Sequence, residues 1–297
     1  MYERAALENN GDKTLKLAVA SGKGGSGKST VAANLAYAIS LSGNVTLVDC
    51  DVEEPNLHLY FPSTTEEQVV TTPVPVVDDE RCTQCGRCGE FCRYGALAVT
   101  GNGVLTFLEM CHSCGGCMLI CPEGAIHEVE RPIGRVTTAH PLPRLTLITG
   151  ILNEGEVLSP RVIRAAKEAV GADPVIIYDS SPGTACPVIE TLEGCDACIL
   201  VTESTPFGLH DLRLAVEVAG TLGVPAGVII NRSDGKDAET RAFCDEHGLP
   251  VLMTIPFDRG IASLQGRGEL FSRAMPEWQE AFGDLYRKCR ALVGRPV

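Results

Sequence analysis

Two kinds of residue in this chain could do chemistry, thiols in a fixed spacing and glycines around a lysine. Cys82, Cys85, Cys88 and Cys92 recur as Cys111, Cys114, Cys117 and Cys121, each offset by 29 residues. The repeat continues into YGAL at 94–97 against EGAI at 123–126, so the segment is an internal duplication. Thiolates packed this densely ligate metal, either iron–sulfur clusters or zinc. Upstream lies SGKGGSGKST at 21–30, where glycines let successive backbone N–H groups turn toward one anion. One motif handles metal and the other phosphate.

The glycine loop follows the apolar run LKLAVA (15–20) and opens a helical stretch from Lys28 to Leu41. That strand–loop–helix setting separates a phosphate loop from an incidental flexible turn. Gly22, Gly24, Gly25, Ser26 and Gly27 form the cradle, and the helix N-terminus below them favours the anion. Lys28 is placed to reach the β- and γ-phosphates of ATP, Ser29 to ligate Mg²⁺, and Thr30 to sit near the α-phosphate.

The elements that must position these residues follow from the apolar runs. VTLVDCD from Val45, then LTLIT (145–149), VIIYD (175–179), ACILVT (197–202), AGVIIN (226–231) and VLMTIP (251–256) each predict a buried parallel strand. Helical-period segments such as 160–170 and 209–222 separate them, which predicts an α/β fold with a doubly wound, mostly parallel sheet. Pro-rich TTPVPVVDD (71–79) and HPLPR (140–144) bracket the cysteines and read as linkers. The expected organisation is a discontinuous P-loop domain, 1–69 and 136–297, with a small α+β domain inserted at 70–135.

The 297-residue chain carries a formal net charge of −13, which argues against nucleic acid as the main partner. It shows no signal-peptide core and no apolar run long enough for a transmembrane helix. Fourteen cysteines without a secretion signal read as ligands and core residues in a reducing cytoplasm. The C-terminal stretch 276–293 is amphipathic with mixed charges, which favours a helix packed on the sheet over one lying on a membrane.

The second lysine of the loop, Lys23, makes the motif resemble the deviant Walker A ATPases, which include cell-division positioning and partition ATPases, nitrogenase iron protein and cluster carriers. The resemblance implies a dimer in which Lys23 reaches the nucleotide of the other subunit, as an arginine finger does. It further implies that Asp51 orients the attacking water, that Asp49 and Asp51 belong to the Mg²⁺ site, and that Asp179 is the Walker B carboxylate holding Mg²⁺ through water. Gly183 would sense the γ-phosphate, Asn231 would contact adenine, and the IPFDRGI loop (255–261), with Pro256 and Asp258, would wrap the base. Any one of these carboxylates alone could equally be a helix cap.

The cysteine spacing resembles bacterial two-cluster ferredoxins, in which each run's fourth cysteine serves the other cluster. That implies one [4Fe–4S] cluster on Cys82, Cys85, Cys88 and Cys121 and a second on Cys92, Cys111, Cys114 and Cys117. Zinc sites favour separated C-x2-C pairs instead. Cys121 precedes Pro122 whereas Cys92 precedes Arg93, a departure from the ferredoxin pattern beside the second cluster. Cys50, Cys244 and Cys289 read as small buried hydrophobes, as do Cys195 and Cys198 where they enter a strand. Cys186 reads as packing at a helix start, ahead of a bridging-cluster ligand.

Together the motifs resemble MinD-like ATPases with an inserted ferredoxin. The implied activity is ATP hydrolysis by a homodimer, or a heterodimer with a paralogue, coupled to electron transfer with a redox or metallocofactor protein. Two alternatives stand beside it: a cluster-assembly ATPase and a redox-sensing positioning ATPase.

Overall fold

The computed structural model describes residues 14–294 and opens strand–helix–strand. The N-terminal stretch read for a targeting signal lies outside the described residues, apart from its end. The order is β1 (Leu15–Ala20), α1 (Lys28–Ser40), β2 (Val45–Cys50), β3 (Thr65–Val77), α2 (Arg87–Phe91), β4 (Leu97–Thr100), β5 (Gly103–Thr106), α3 (Gly116–Ile120), β6 (Ile126–Leu142), β7 (Leu145–Leu152) and α4 (Ser159–Glu168). It continues with β8 (Val175–Ser180), α5 (Cys186–Leu192), β9 (Ala197–Glu203), α6 (Pro206–Thr221), β10 (Ala226–Ser233), α7 (Ala238–Glu246), β11 (Val251–Pro256), α8 (Arg259–Gly266), α9 (Phe271–Ala274) and α10 (Pro276–Leu292).

Nine strands form one sheet in the order β11-β10-β9-β1-β8-β2-β7-β6-β3. The run from β11 to β7 is parallel, while β6 and β3 add an antiparallel edge. Every residue of β2 and β8 is buried, as strands covered by helices on both faces require. The doubly wound, mostly parallel sheet expected from the apolar runs is therefore present.

Helix α10 closes one face, with Phe282, Leu285 and Cys289 buried against the core that includes α1. Phe271 and Trp278 pack edge-on beside them, with ring centroids 5.2 Å apart. The apolar stripe read in 276–293 thus faces the protein. No helix among the described residues is long and apolar enough to cross a membrane.

The Pro-rich segments read as linkers are mostly strand. β3 pairs with β6 from Thr65↔Ala139 to Val77↔Ile126, with Pro73 and Pro75 inside the ladder. A strand tolerates proline where its outer edge has no partner, and β3 is the edge of the sheet. Residues 70 and 135 fall within this ribbon, and the cysteine lobe, 78–125, is carried at its end.

Candidate functional site

The glycine loop leaves β1, the central strand beside β8, and turns into α1 at Gly27, whose φ of 98° is a left-handed conformation. A Cβ on Gly27 would lie 2.2 Å from Asn231 Nδ2, so a side chain there would displace Asn231 as well as strain the left-handed backbone. Asn231, at the end of β10, donates that amide to Ser26 O at 2.7 Å and braces the loop from behind. Gly22 has no room for a Cβ either, because the backbone carbonyl of Asp211 on α6 would stand 2.2 Å away.

The loop opens on a cavity of about 560 Å³. Gly24, Gly25, Gly27, Lys28, Ser29 and Thr30 line one wall, Asp51, Glu54, Asn56, Leu59 and Tyr60 a second, and Pro182, Arg232 and residues 265–268 complete it. Lys28 is buried. Thr30 Oγ1 and the Tyr60 hydroxyl stand 3.1 Å apart across the mouth.

Two buried carboxylates stand beneath the loop. Asp49 and Asp179 are paired in register on β2 and β8 and both are fully buried. Asp49 accepts from the backbone N–H groups of Asp51, Asn56 and Leu57 at 3.2, 3.0 and 3.0 Å. Burial still raises its pKa to about 7, with Asp51 adding repulsion against those three donors. Among the described residues, neither oxygen of Asp179 finds a partner within hydrogen-bond geometry. Burial and then the charge of Asp49 push its pKa well up, while Ser29 and Lys28 lie close enough to draw it down. An orphaned carboxylate facing a hydroxyl and a lysine fits a divalent cation riding on a phosphate. Asp51 is raised too, mainly by burial, with Lys28 opposing.

Lys23 points elsewhere. Its ammonium meets Glu203 Oε2, at the end of β9, at 3.2 Å, and Arg232 Nη1 holds Glu203 Oε1 at 2.7 Å. Gly183, with a φ of 95°, donates its N–H to Ser21 O at 3.0 Å and ties the segment after β8 to the loop. Pro256 is exposed at the end of β11, and Asp258 accepts from Ile261 N at 2.9 Å as the cap of α8; neither lines the cavity, and Asn231 stays behind it. The wall residues Tyr60, Arg232 and 265–268 were not read from the sequence. Arg232 directly follows Asn231 at a strand end, a signal that could have found it; residues 265–268 carry none.

In the cysteine lobe the 29-residue repeat is written into the backbone. Left-handed residues recur as Gln84 and Ser113, Gly86 and Gly115, and Gly95 and Gly124. Gly86 and Gly115 each precede one of the short helices α2 and α3. The bond from Asp78 N to Ala125 O is matched by Phe107 N to Ala96 O, which exchanges the two halves. One cavity is lined by Cys82, Cys85, Cys88 and Cys121, and another by Cys92, Cys111, Cys114 and Cys117. Burial raises the Cys88 thiol, which also feels Cys82 and Cys121; burial lifts Cys117 to about 11, with Cys111 and Cys114 adding to it.

Among the described residues, no three Cys, His, Asp or Glu side chains converge tightly enough for a single metal ion. Each cavity is lined by four thiols, the donor set that a four-iron cubane takes. Arg93 lines the second cavity, where Tyr94 stacks on His112 at 3.6 Å between centroids.

The other cysteines hold no comparable setting. Cys50, Cys198, Cys244 and Cys289 are buried, Cys195 donates to Thr191 O at 3.3 Å, and Cys186 is exposed at the start of α5.

A parallel sheet whose central strand runs through a glycine loop into a helix, with buried carboxylates on the neighbouring strand ends, defines a P-loop nucleotide-binding protein. The CobQ/CobB/MinD/ParA nucleotide binding domain profile matches residues 17–271, and the chain belongs to that family. An uncharacterized protein of Methanocaldococcus jannaschii is 28% identical over 261 residues, 86% of this chain and 90% of its own length. The septum site-determining protein MinD of Pyrococcus horikoshii, solved with Mg-ADP, superposes with a TM-score of 0.60 at 22% identity, covering 95% of this chain and 98% of that one, a likeness of fold. Pyruvate synthase subunit PorD of M. jannaschii is 38% identical over 57 residues, 19% of this chain and 66% of its length.

Proposed function

We propose that this protein hydrolyses ATP as a dimer and couples that turnover to electron transfer through two [4Fe–4S] clusters. The observation that carries the reading is the placement of the nucleotide cavity and the two crossed cysteine quartets on one continuous path. The wall of the cavity from Asp51 to Tyr60 runs into β3, and β3 runs into the lobe.

In this reading Lys28 holds the β- and γ-phosphates, and Ser29 and Asp179 hold Mg²⁺ with Asp49 beside them. Asp51 orients a water for attack on the γ-phosphorus; the water oxygen bonds phosphorus as the bond to the β-bridging oxygen breaks, ADP leaves, and the water proton passes to the released phosphate. Lys23 exchanges Glu203 for the nucleotide of the other subunit, so charge stabilisation arrives only when two subunits close. The base lies toward Arg232 and residues 265–268, with Asn231 bracing the loop and the Pro256–Asp258 turn nearby. The second subunit is another copy or a paralogue, the redox partner is a protein, and the compartment is a reducing cytoplasm.

Cys82, Cys85, Cys88 and Cys121 would hold one cluster and Cys92, Cys111, Cys114 and Cys117 the other, each supplying one-electron chemistry. The test is the ATPase rate with the clusters oxidised and reduced, together with their potentials with and without nucleotide. Values that respond in both directions support the coupling, and identical values overturn it. Iron passed to an apo acceptor would favour cluster assembly instead.

A further inference from the structure

The segment after Asp51 is fastened to the end of β7 and the start of α4, on either side of the loop 153–158. Val52 O accepts from Leu152 N at 2.8 Å, and Glu53 Oε1 accepts from Ser159 Oγ at 2.6 Å. That loop is fastened in turn to β6, where Asn153 N donates to Ile133 O at 2.9 Å. Glu156, its side chain 7% exposed, takes both prongs of the Arg131 guanidinium, one of them at 2.7 Å.

Arg131 reaches one step further. Its Nη2 donates to Leu108 O at 3.3 Å, and the same carbonyl accepts the N–H of Cys111 at 3.1 Å. A second tie joins the buried hydroxyl of Thr72 on β3 to the Ser113 hydroxyl at 2.7 Å, between Cys111 and Cys114. Both ties land on the second half of the lobe. Residues 81–106 make no side-chain hydrogen bond to β3 or β6 among the described residues, and Gln84, the counterpart of Ser113, has none of this kind. Both halves pack apolar side chains against Val74 and Val77 of β3 and Ile126 of β6, but the side-chain hydrogen bonds to the ribbon fall on the second half alone among the described residues.

We propose that Arg131, held by Glu156, is a positioning residue that passes movement of the segment after Asp51 to the Cys111–Cys117 loop. Nucleotide then alters the surroundings of the quartet Cys92, Cys111, Cys114 and Cys117 and leaves those of Cys82, Cys85, Cys88 and Cys121 unchanged. This inference rests on the nucleotide-coupled reading above. A guanidinium fork suits the task because its two bonds to Glu156 fix its plane, so displacing the carboxylate swings Nη2 against Leu108 O. That carbonyl sets the Cys111 amide, and hydrogen bonds and charge around cluster sulfurs tune their potential.

The experiment is hydrogen–deuterium exchange and an EPR redox titration on the cluster-loaded protein, with and without a non-hydrolysable ATP analogue. In the wild type, nucleotide is expected to change exchange at 108–117 and not at 82–92, and to shift one potential, the one belonging to the signal removed by Cys114→Ser. In Glu156→Gln both responses are lost while analogue affinity, basal ATPase and iron content stay at wild-type levels, and Arg131→Lys retains part of them. Should Glu156→Gln lose iron, Arg131→Met with Glu156→Leu removes both charges together, and exchange at 108–117 still reads the coupling. Responses that persist in these variants, or that fall on 82–92, overturn the proposal and leave the functional reading standing. No response in the wild type sinks the reading itself.

Discussion

Asp49 and Asp179 face each other in register on β2 and β8, one carboxylate held by three backbone N–H groups and the other by none. Two fully buried acids side by side destabilise the metal-free protein once both ionise. The folded pKa of Asp49, about 7, lies above its ordinary 3.8. Its contribution to stability is therefore complete below the ordinary value and is lost as pH rises through about 7. Asp179 is raised as well and acts in the same direction. Without Mg²⁺ and nucleotide, Tm should fall between pH 5 and 8, by roughly 2–4 °C for each kcal/mol lost in a chain of this size. Asp179→Asn should flatten that decline and weaken Mg²⁺-dependent nucleotide binding. An unchanged pH slope in this variant would show that the pair is not its source.

Lys28 and Gly27 test the phosphate cradle from two sides. Lys28→Gln removes the buried ammonium, and losing a charge-assisted contact of about 1.5–3 kcal/mol should weaken ATP binding roughly 10- to 150-fold. Gly27→Ala adds a Cβ against Asn231 in a left-handed conformation, so the loop distorts although no binding group is lost. Titration with a fluorescent ATP analogue should show both losses while far-UV circular dichroism stays unchanged. Normal affinity in Gly27→Ala would mean the loop tolerates another path.

What was legible in the sequence was local. The cradle from Gly22 to Thr30 and the cysteine repeat are contiguous motifs whose spacing carries their geometry, and the apolar runs marked the parallel strands. What was not legible depended on distant partners. Glu203 lies 180 residues from Lys23, and nothing in either neighbourhood announces their ion pair. Residues 265–268 reach the cavity only because α8 ends there. Pro73 and Pro75 read as linker because proline punctuates most strands, and only the assembled sheet shows that β3 is an edge.

Glu203 holds Lys23 and Arg232 together in the single subunit, with 33% of the Lys23 side chain and 50% of the Arg232 side chain exposed. Such half-exposed pairs contribute only about 0–1 kcal/mol, so Glu203→Gln should barely change Tm. It should instead free Lys23 and raise the dimer fraction seen by light scattering with ATP. Lys23→Gln should leave ATP affinity near wild type and abolish phosphate release. A Lys23→Gln variant that hydrolyses ATP normally would remove this lysine from the chemistry.

The crossing of the two cysteine quartets makes the sharpest prediction about the lobe. By sequence Cys121 belongs to the second run, but it lines the cavity of Cys82, Cys85 and Cys88; Cys92 is exchanged in the opposite sense. Cys121→Ser and Cys82→Ser should therefore disturb the same cluster, and Cys92→Ser should match Cys111→Ser. Each variant that loses a cluster should keep roughly four of about eight irons per chain, and its remaining EPR signal identifies the quartet left intact. If Cys121→Ser instead matched Cys111→Ser, each run would hold its own cluster. The exchange of backbone bonds between Asp78 and Ala125 and between Phe107 and Ala96 argues against that, because it interleaves the two halves.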